Sequence, residues 1–131
     1  MGGFATYAQN IRLEHRDNGW YLLAKLARGE DNGGGYHDAE TNLDDHLSNN
    51  DGHFQYGPFT KKFGTYAQDV RLSPDGKTLH ARLAGSGGWM DSEIDLNGII
   101  SNKEGRLEMD PLELEDIERR FERVWKSGGW S

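Results

Sequence analysis

The sequence predicts a small all-β domain made from two tandem copies of one unit. Three observations point there. A ten-residue block, Phe4 to Leu13 (FATYAQNIRL), returns as Phe63 to Leu72 (FGTYAQDVRL) with seven identities. Short stretches of alternating apolar and polar residues are separated by glycine-containing turns. The 131-residue chain also carries 18 Gly with only 34% hydrophobic residues, a turn-rich mixture with little core per residue. Its four Trp, five Tyr and five Phe are too much apolar bulk for a disordered chain.

A second pair of segments fixes the extent of each copy. Asn42 to Tyr56 matches Asp95 to Met109, with Leu43 on Leu96, Leu47 on Ile100, Gly52 on Gly105 and Phe54 on Leu107. The copies run over 1–57 and 58–110, with a tail at 111–131. Two copies are too few for a solenoid and predict one pseudo-twofold domain, 1–110, whose halves share a core.

The elements follow in order. Tyr7, Gln9, Ile11 and Leu13 alternate with Ala8, Asn10 and Arg12 as a strand of period two. Asp17-Asn18-Gly19 and, in the second copy, Pro74-Asp75-Gly76 are hairpin turns, since Gly accepts φ > 0. Trp20 to Leu26 and Thr78 to Leu83 are the return strands. Gly33-Gly34-Gly35 and Gly87-Gly88 are loops, each leading to an aromatic, Tyr36 or Trp89. Asn50-Asp51-Gly52 and Lys103-Glu104-Gly105 turn the last short hairpins. From Pro111 the pattern changes: Leu114, Ile117, Phe121, Val124 and Trp125 recur at helical spacing. Asp110 suits the N-cap and Gly128 the stop, so an amphipathic C-terminal α-helix is expected.

Charge and composition exclude several functions. The net charge is -7, and no Lys/Arg stripe tracks phosphates, so nucleic acid is not an expected partner. No apolar run is long enough for membrane insertion. No basic n-region precedes an apolar stretch, so a cytoplasmic protein, or one secreted without a recognisable signal peptide, is expected. Cysteine is absent, which removes disulfides, thiolate metal sites and cysteine nucleophiles. The five His are scattered, the calcium-loop pattern is missing, and no G-x-S-x-G or P-loop occurs. Glu40 and Glu93 occupy matching places in the copies, which argues for a shared structural place rather than a glycosidase acid/base pair. Neither enzyme activity nor a cofactor nor a metal is expected. Trp20, Tyr36, Trp89 and Trp125 are assigned to packing, and Arg12 and Arg71 to solvated strand faces.

The run Ser92-Glu93-Ile94-Asp95-Leu96-Asn97, continued by Ile100-Ser101-Asn102-Lys103-Glu104-Gly105-Arg106-Leu107, resembles the cyanovirin-N homologue (CVNH) family. Thr41 to Gly52 carries the same run in the first copy. The resemblance spans residues 3 to about 110. It implies two pseudo-symmetric lobes, each a three-stranded sheet plus a β-hairpin, with strands exchanged between the copies. It also implies a lectin for mannose-rich glycans, typically terminal α1-2-linked mannose, that needs no metal. Where the family's prototype has disulfides, this chain has Ala8 with Leu26 and Ala67 with Leu83. Such small-plus-large apolar pairs fill the same space and resemble the cysteine-free fungal branch. Pro58 matches the family's hinge, so a monomer or a domain-swapped dimer is expected.

The same resemblance implies two carbohydrate sites. The mid-chain lobe would use Asn49, Asn50 and Asp51, then Thr60, Lys61 and Lys62, and a third wall at Gly85 and Ser86. That wall lacks the prototype's long polar side chains, which makes the pocket shallower. The terminal lobe would use Gly3, Thr6 and Tyr7, then Ser101, Asn102, Lys103 and Glu104, with Arg28 from the lengthened loop 27–32. Here Glu104 stands for the expected Asp and Tyr7 for a smaller Thr. Sugar hydroxyls donate and accept at once and pair well with an amide and a carboxylate held on a turn. Asn-Asp-Gly is equally what a tight turn requires. A scaffold domain that keeps the fold and meets a protein through its C-terminal helix is the alternative function. A carbohydrate-active enzyme ranks third.

Overall fold

The computed structural model describes residues 2–30, 33–57 and 61–111, with the backbone alone for Lys61. The expected C-terminal helix, the Pro58 hinge, Thr60 and Trp125 lie outside these residues. Among the described residues eleven strands follow in order: β1 (Ala8–Arg16), β2 (Gly19–Ala27), β3 (Tyr36–Asn42), β4 (Leu47–Asn50), β5 (His53–Tyr56), β6 (Lys61–Lys62), β7 (Ala67–Leu72), β8 (Thr78–Gly85), β9 (Gly88–Asp95), β10 (Ile100–Lys103) and β11 (Arg106–Met109). Short 3-10 turns at Phe4–Tyr7, Leu43–Asp45, Phe63–Tyr66 and Leu96–Gly98 join them.

All pairings are antiparallel, in a β1-β2-β3 sheet, a β7-β8-β9 sheet, a β5-β4-β6 sheet and a β10-β11 hairpin. The hairpins change places. β4–β5, from the first copy, packs on β8 and β9 of the second. β10–β11, from the second, packs on β3 and on the Phe4–Tyr7 turn of the first. One lobe therefore joins residues 4–42 to residues 100–109, and the other is built from the stretch between them.

The core shows why both copies keep the same apolar positions. Phe4, Leu22, Ala24, Leu26, Leu43 and Leu47 are buried, and so are their repeat mates Phe63, Leu79, Ala81, Leu83, Leu96 and Ile100. All belong to one cluster. Ala8 lies opposite Leu26, and Ala67 opposite Leu83, so each small-plus-large pair sits across neighbouring strands and is covered by the same core.

The first strand differs from the simple alternation expected of it. Ala8 packs against the core, whereas Tyr7 and Gln9 face solvent; beyond Asn10, Ile11 and Leu13 turn inward. The register shifts between Gln9 and Arg12, and Asn10 sits at φ 55°. This is a β-bulge, which advances the phase by one residue. The second copy repeats it, with Asp69 at φ 54° and a shift between Gln68 and Arg71. Asn and Asp tolerate this left-handed conformation better than most residues. Arg12 and Arg71 are exposed, as expected, and each guanidinium donates to the bulge carbonyl, of Asn10 at 2.9 Å and Asp69 at 3.0 Å. Tyr36 and Trp89 also depart from expectation: they are 45% and 42% exposed, not packed inside. Trp20 is half-buried and stacks on His15 with ring centroids 4.2 Å apart.

Each copy also pins the 3-10 turn that starts the other. Asn97 Oδ1 accepts from the Ala5 amide at 3.0 Å. Asp44 accepts from the Gly64 amide and, at 3.0 Å, from the Trp20 amide. Burial pushes the Asp44 carboxyl above its ordinary range against the pull of those two donors. A Cβ at Gly64 would overlap the Asp44 carboxylate. Asp44→Ala, which leaves two amide donors unpaired, should lower stability by about 1–3 kcal/mol. Asn97→Ala, which strands one of them, should cost less. Denaturant unfolding of the two variants checks the order.

Candidate functional site

The two expected sugar sites lie at the hairpin turns, and the backbone explains their residues first. Asn50 pairs with His53, and Lys103 with Arg106. Each leaves a two-residue loop with both residues at positive φ: Asp51 (50°) with Gly52 (91°), and Glu104 (52°) with Gly105 (84°). That is the hairpin turn whose twist matches the strands, and Asp-Gly is a favoured sequence for it. Glu is a poorer fit to the left-handed position.

The asparagines of both sites are structural staples. Asn49 Oδ1 accepts from the Gly52 amide at 2.8 Å, and its Nδ2 donates to the Ala84 carbonyl at 2.9 Å. Asn102 repeats both bonds, with the Gly105 amide at 2.9 Å and the Ala27 carbonyl at 2.9 Å. Each amide thus closes its own turn and ties it to the end of the neighbouring sheet. The approach is close, since a Cβ at Gly85 would lie 2.7 Å from the Asp51 carbonyl oxygen.

The turn carboxylates then reach the same place in each lobe through different bonds. Asp51 accepts from the Ser86 amide at 2.6 Å and from its hydroxyl at 3.1 Å. These two bonds hold its carboxyl below the ordinary range. Glu104, one methylene longer, accepts from the Gly29 amide at 3.4 Å, while Arg28 Nε donates to the Glu104 carbonyl at 3.1 Å.

The remaining expected residues divide. In the mid-chain lobe, Asn49, Asp51, Gly85 and Ser86 come together. Lys61 joins through the backbone, opposite Asn49 in β4–β6. Lys62 Nζ turns to Asp45 at 3.1 Å. In the terminal lobe, Arg28, Asn102 and Glu104 come together. Gly3 holds the chain start, donating to the Asn97 carbonyl at 2.7 Å, and its own carbonyl accepts from the Thr6 amide at 3.1 Å. Tyr7 is exposed. Ser101, Asn102, Lys103 and Glu104 also line a cleft of about 740 Å³ that includes Tyr56, Ile99 and Asp110. Ser101 Oγ bonds Asp110 Oδ1 at 2.6 Å, and Lys103 Nζ lies 3.7 Å from Glu108. Sequence reasoning placed the loop 27–32 and the wall at 84–87 beside the two turns, but not the bonds their backbone makes, from the Gly29 amide and to the carbonyls of Ala27 and Ala84. The equivalence of Ala27-Arg28-Gly29 with Ala84-Gly85-Ser86 in the repeat was the available signal.

The CVNH domain model matches residues 4–108. A cyanovirin-N homolog from Neurospora crassa is 37% identical over 111 residues, covering 80% of this chain and 96% of that protein. The crystal structure of a MoCVNH3 variant in complex with (N-GlcNAc)4 superposes with TM-score 0.72 at 27% identity, covering 82% of this chain and 97% of that one. A microvirin:mannobiose complex gives TM-score 0.65 at 25% identity, with 83% and 99% covered.

The Asp51–Ser86 link has a defined pH response. Because the folded carboxyl is held low, its stabilising contribution is present above the ordinary Asp range and is lost as pH falls through the depressed value. The Ser86 amide resonance should titrate below the range of an unperturbed Asp. Ser86→Ala should move the Asp51 titration back up, read from carboxyl shifts by NMR.

Proposed function

This chain belongs to the cyanovirin-N homologue family, and from that premise we infer that it is a non-catalytic lectin. It binds glycans at the hairpin turns of its two lobes. The observation that carries this reading is the repeated arrangement of a turn carboxylate, a stapled asparagine and an open strand-end loop. That arrangement presents backbone and carboxylate groups together at the surface, which suits vicinal hydroxyls. Relatives in complex with mannobiose and with an N-acetylglucosamine oligomer support a sugar ligand.

The preferred ligand in this reading is a mannose-rich glycan with terminal α1-2-linked mannose. The mid-chain site comprises Asn49–Asp51, Thr60–Lys62 and Gly85–Ser86, and the terminal site Gly3, Thr6, Tyr7, Arg28 and Ser101–Glu104. Single sites are weak, because sugar hydroxyls give up water to bind. Two working sites on one chain raise the affinity for branched glycans through effective concentration.

NMR titration with α1-2-linked mannobiose tests the reading. Shifts should cluster at one or both residue sets, and Asp51→Ala should weaken the mid-chain site by tenfold or more, as expected for loss of a charged hydrogen-bond acceptor. Binding to N-acetylglucosamine oligomers in place of mannobiose would retain the lectin and replace its sugar. No shift with either at millimolar concentration would overturn the reading.

A further inference from the structure

The outward face of each three-stranded sheet carries a second repeated pattern, next to the hairpin turns and, apart from Tyr7, made of aromatic residues outside the two sites above. Residues directly opposite each other on antiparallel strands share a face. Ala27 lies opposite Tyr36, and Tyr7, the last residue of the 3-10 turn, stands one residue before the Ala8–Leu26 pair. Leu26 and Ala8 face the core, so Tyr7, Ala27 and Tyr36 form a row on the solvent side. The second copy gives the row Tyr66, Ala84 and Trp89 by the same register. Five large apolar side chains are exposed among the described residues, and four of them, Tyr7, Tyr36, Tyr66 and Trp89, are in these rows. The fifth, Met90, lies over Gly52.

A polar row follows each aromatic one. Gln9 lies opposite Lys25, and Lys25 opposite Asp38. In the second copy the row is Gln68, Arg82 and Asp91, with the last two 3.7 Å apart. Beyond it, grooves open at equivalent places. One of about 240 Å³ is lined by Arg12, Asp38 and Glu40 among others. One of about 340 Å³ is lined by their repeat mates Arg71, Asp91 and Glu93, with His53 and His80.

We propose that these outward faces are extended glycan subsites, on which the aromatic rows hold a sugar ring and the polar rows bond its hydroxyls. Each lobe then takes a linear oligosaccharide running on from its hairpin turn. This rests on the lectin reading. Tyr36 and Trp89 each stand one strand, about 4.8 Å, from the alanine floor, with Tyr7 and Tyr66 of the 3-10 turns across the gap. That gap admits the C–H face of one pyranose against a ring. The polar rows mix both signs with an amide, which suits a neutral polyol better than an ion. The floor is continuous with the turns, because Asn102 and Asn49 bond the carbonyls of Ala27 and Ala84.

The test measures affinity for α1-2-linked mannobiose and mannotriose, and for the N-acetylglucosamine dimer and tetramer, by calorimetry on the full chain. The longer member of the series that binds should bind several-fold more tightly than the shorter. Tyr66→Ala/Trp89→Ala, with Tyr36→Ala for the other lobe, should remove that gain, a loss of about two- to tenfold. The shorter sugar's affinity should stay within twofold for Tyr66→Ala/Trp89→Ala, and Trp89→Tyr should keep the gain. An affinity independent of length, or a gain that survives the alanine variants, would overturn the inference and leave the lectin intact. Failure of the wild-type chain to bind any of the four probes would overturn both.

Discussion

A three-stranded sheet of this size cannot hide its own apolar face, and the architecture follows from that constraint. Leu22, Ala24 and Leu26 of β2 are buried in one cluster with Leu96 and Ile100 of the second copy, whose β10–β11 hairpin packs on β3 and on the Phe4–Tyr7 turn. The first copy returns the same service through β4, which carries the buried Leu47 onto β8 and the Phe63–Tyr66 turn. Neither copy has a closed core of its own, so the pair is the stable unit. Asp44 and Asn97 add direction to this exchange. They cap the turns carrying Phe63 and Phe4, so that each buried ring is set by a side chain from the opposite copy.

The same geometry produces the candidate sites. Exchange brings each hairpin turn to the end of a sheet from the other copy, where Asn49 and Asn102 can reach strand-end carbonyls. A carboxylate two residues further on is then aimed at a loop amide. The partners differ: Asp51 meets both donors of Ser86, whereas Glu104 accepts from the Gly29 amide at 3.4 Å and, through its carbonyl, from Arg28. The lobes are alike in backbone and unlike in chemistry.

Much of this was legible in the sequence. The duplicated blocks and the paired core positions gave one pseudo-twofold domain with a shared core, because burial demands the same residue types in both copies. The exchange of hairpins and the Ala8–Leu26 and Ala67–Leu83 pairs came only with the family resemblance, the pairs as replacements for its disulfides. The bulges were not. A residue such as Asn10 reads equally as a strand position or a left-handed kink, and only the partner strand reveals the extra residue. That single unread kink also misplaced the first strand's faces, putting Tyr7 and Gln9 with Ile11. Tyr36 and Trp89 were misread for a related reason. Their size argues for burial, but their register opposite Ala27 and Ala84 puts them outside. In the sites, the dual meaning of Asn-x-Asp resolved towards the turn for the asparagines and left the carboxylates for chemistry.

The exchanged hairpins also set an order of events during synthesis. The mid-chain lobe is made from consecutive stretches of chain and has all its strands once Asp95 has left the ribosome. The terminal lobe joins β1, β2 and β3 to β10 and β11, so its first sheet must wait, uncovered, for more than half the chain to follow. Contacts such as Gly3 with Asn97 span nearly the whole domain, and closures of that length are slow to form. During that interval the exposed face of β1–β3 is open to a second nascent chain, which could lend the same hairpin.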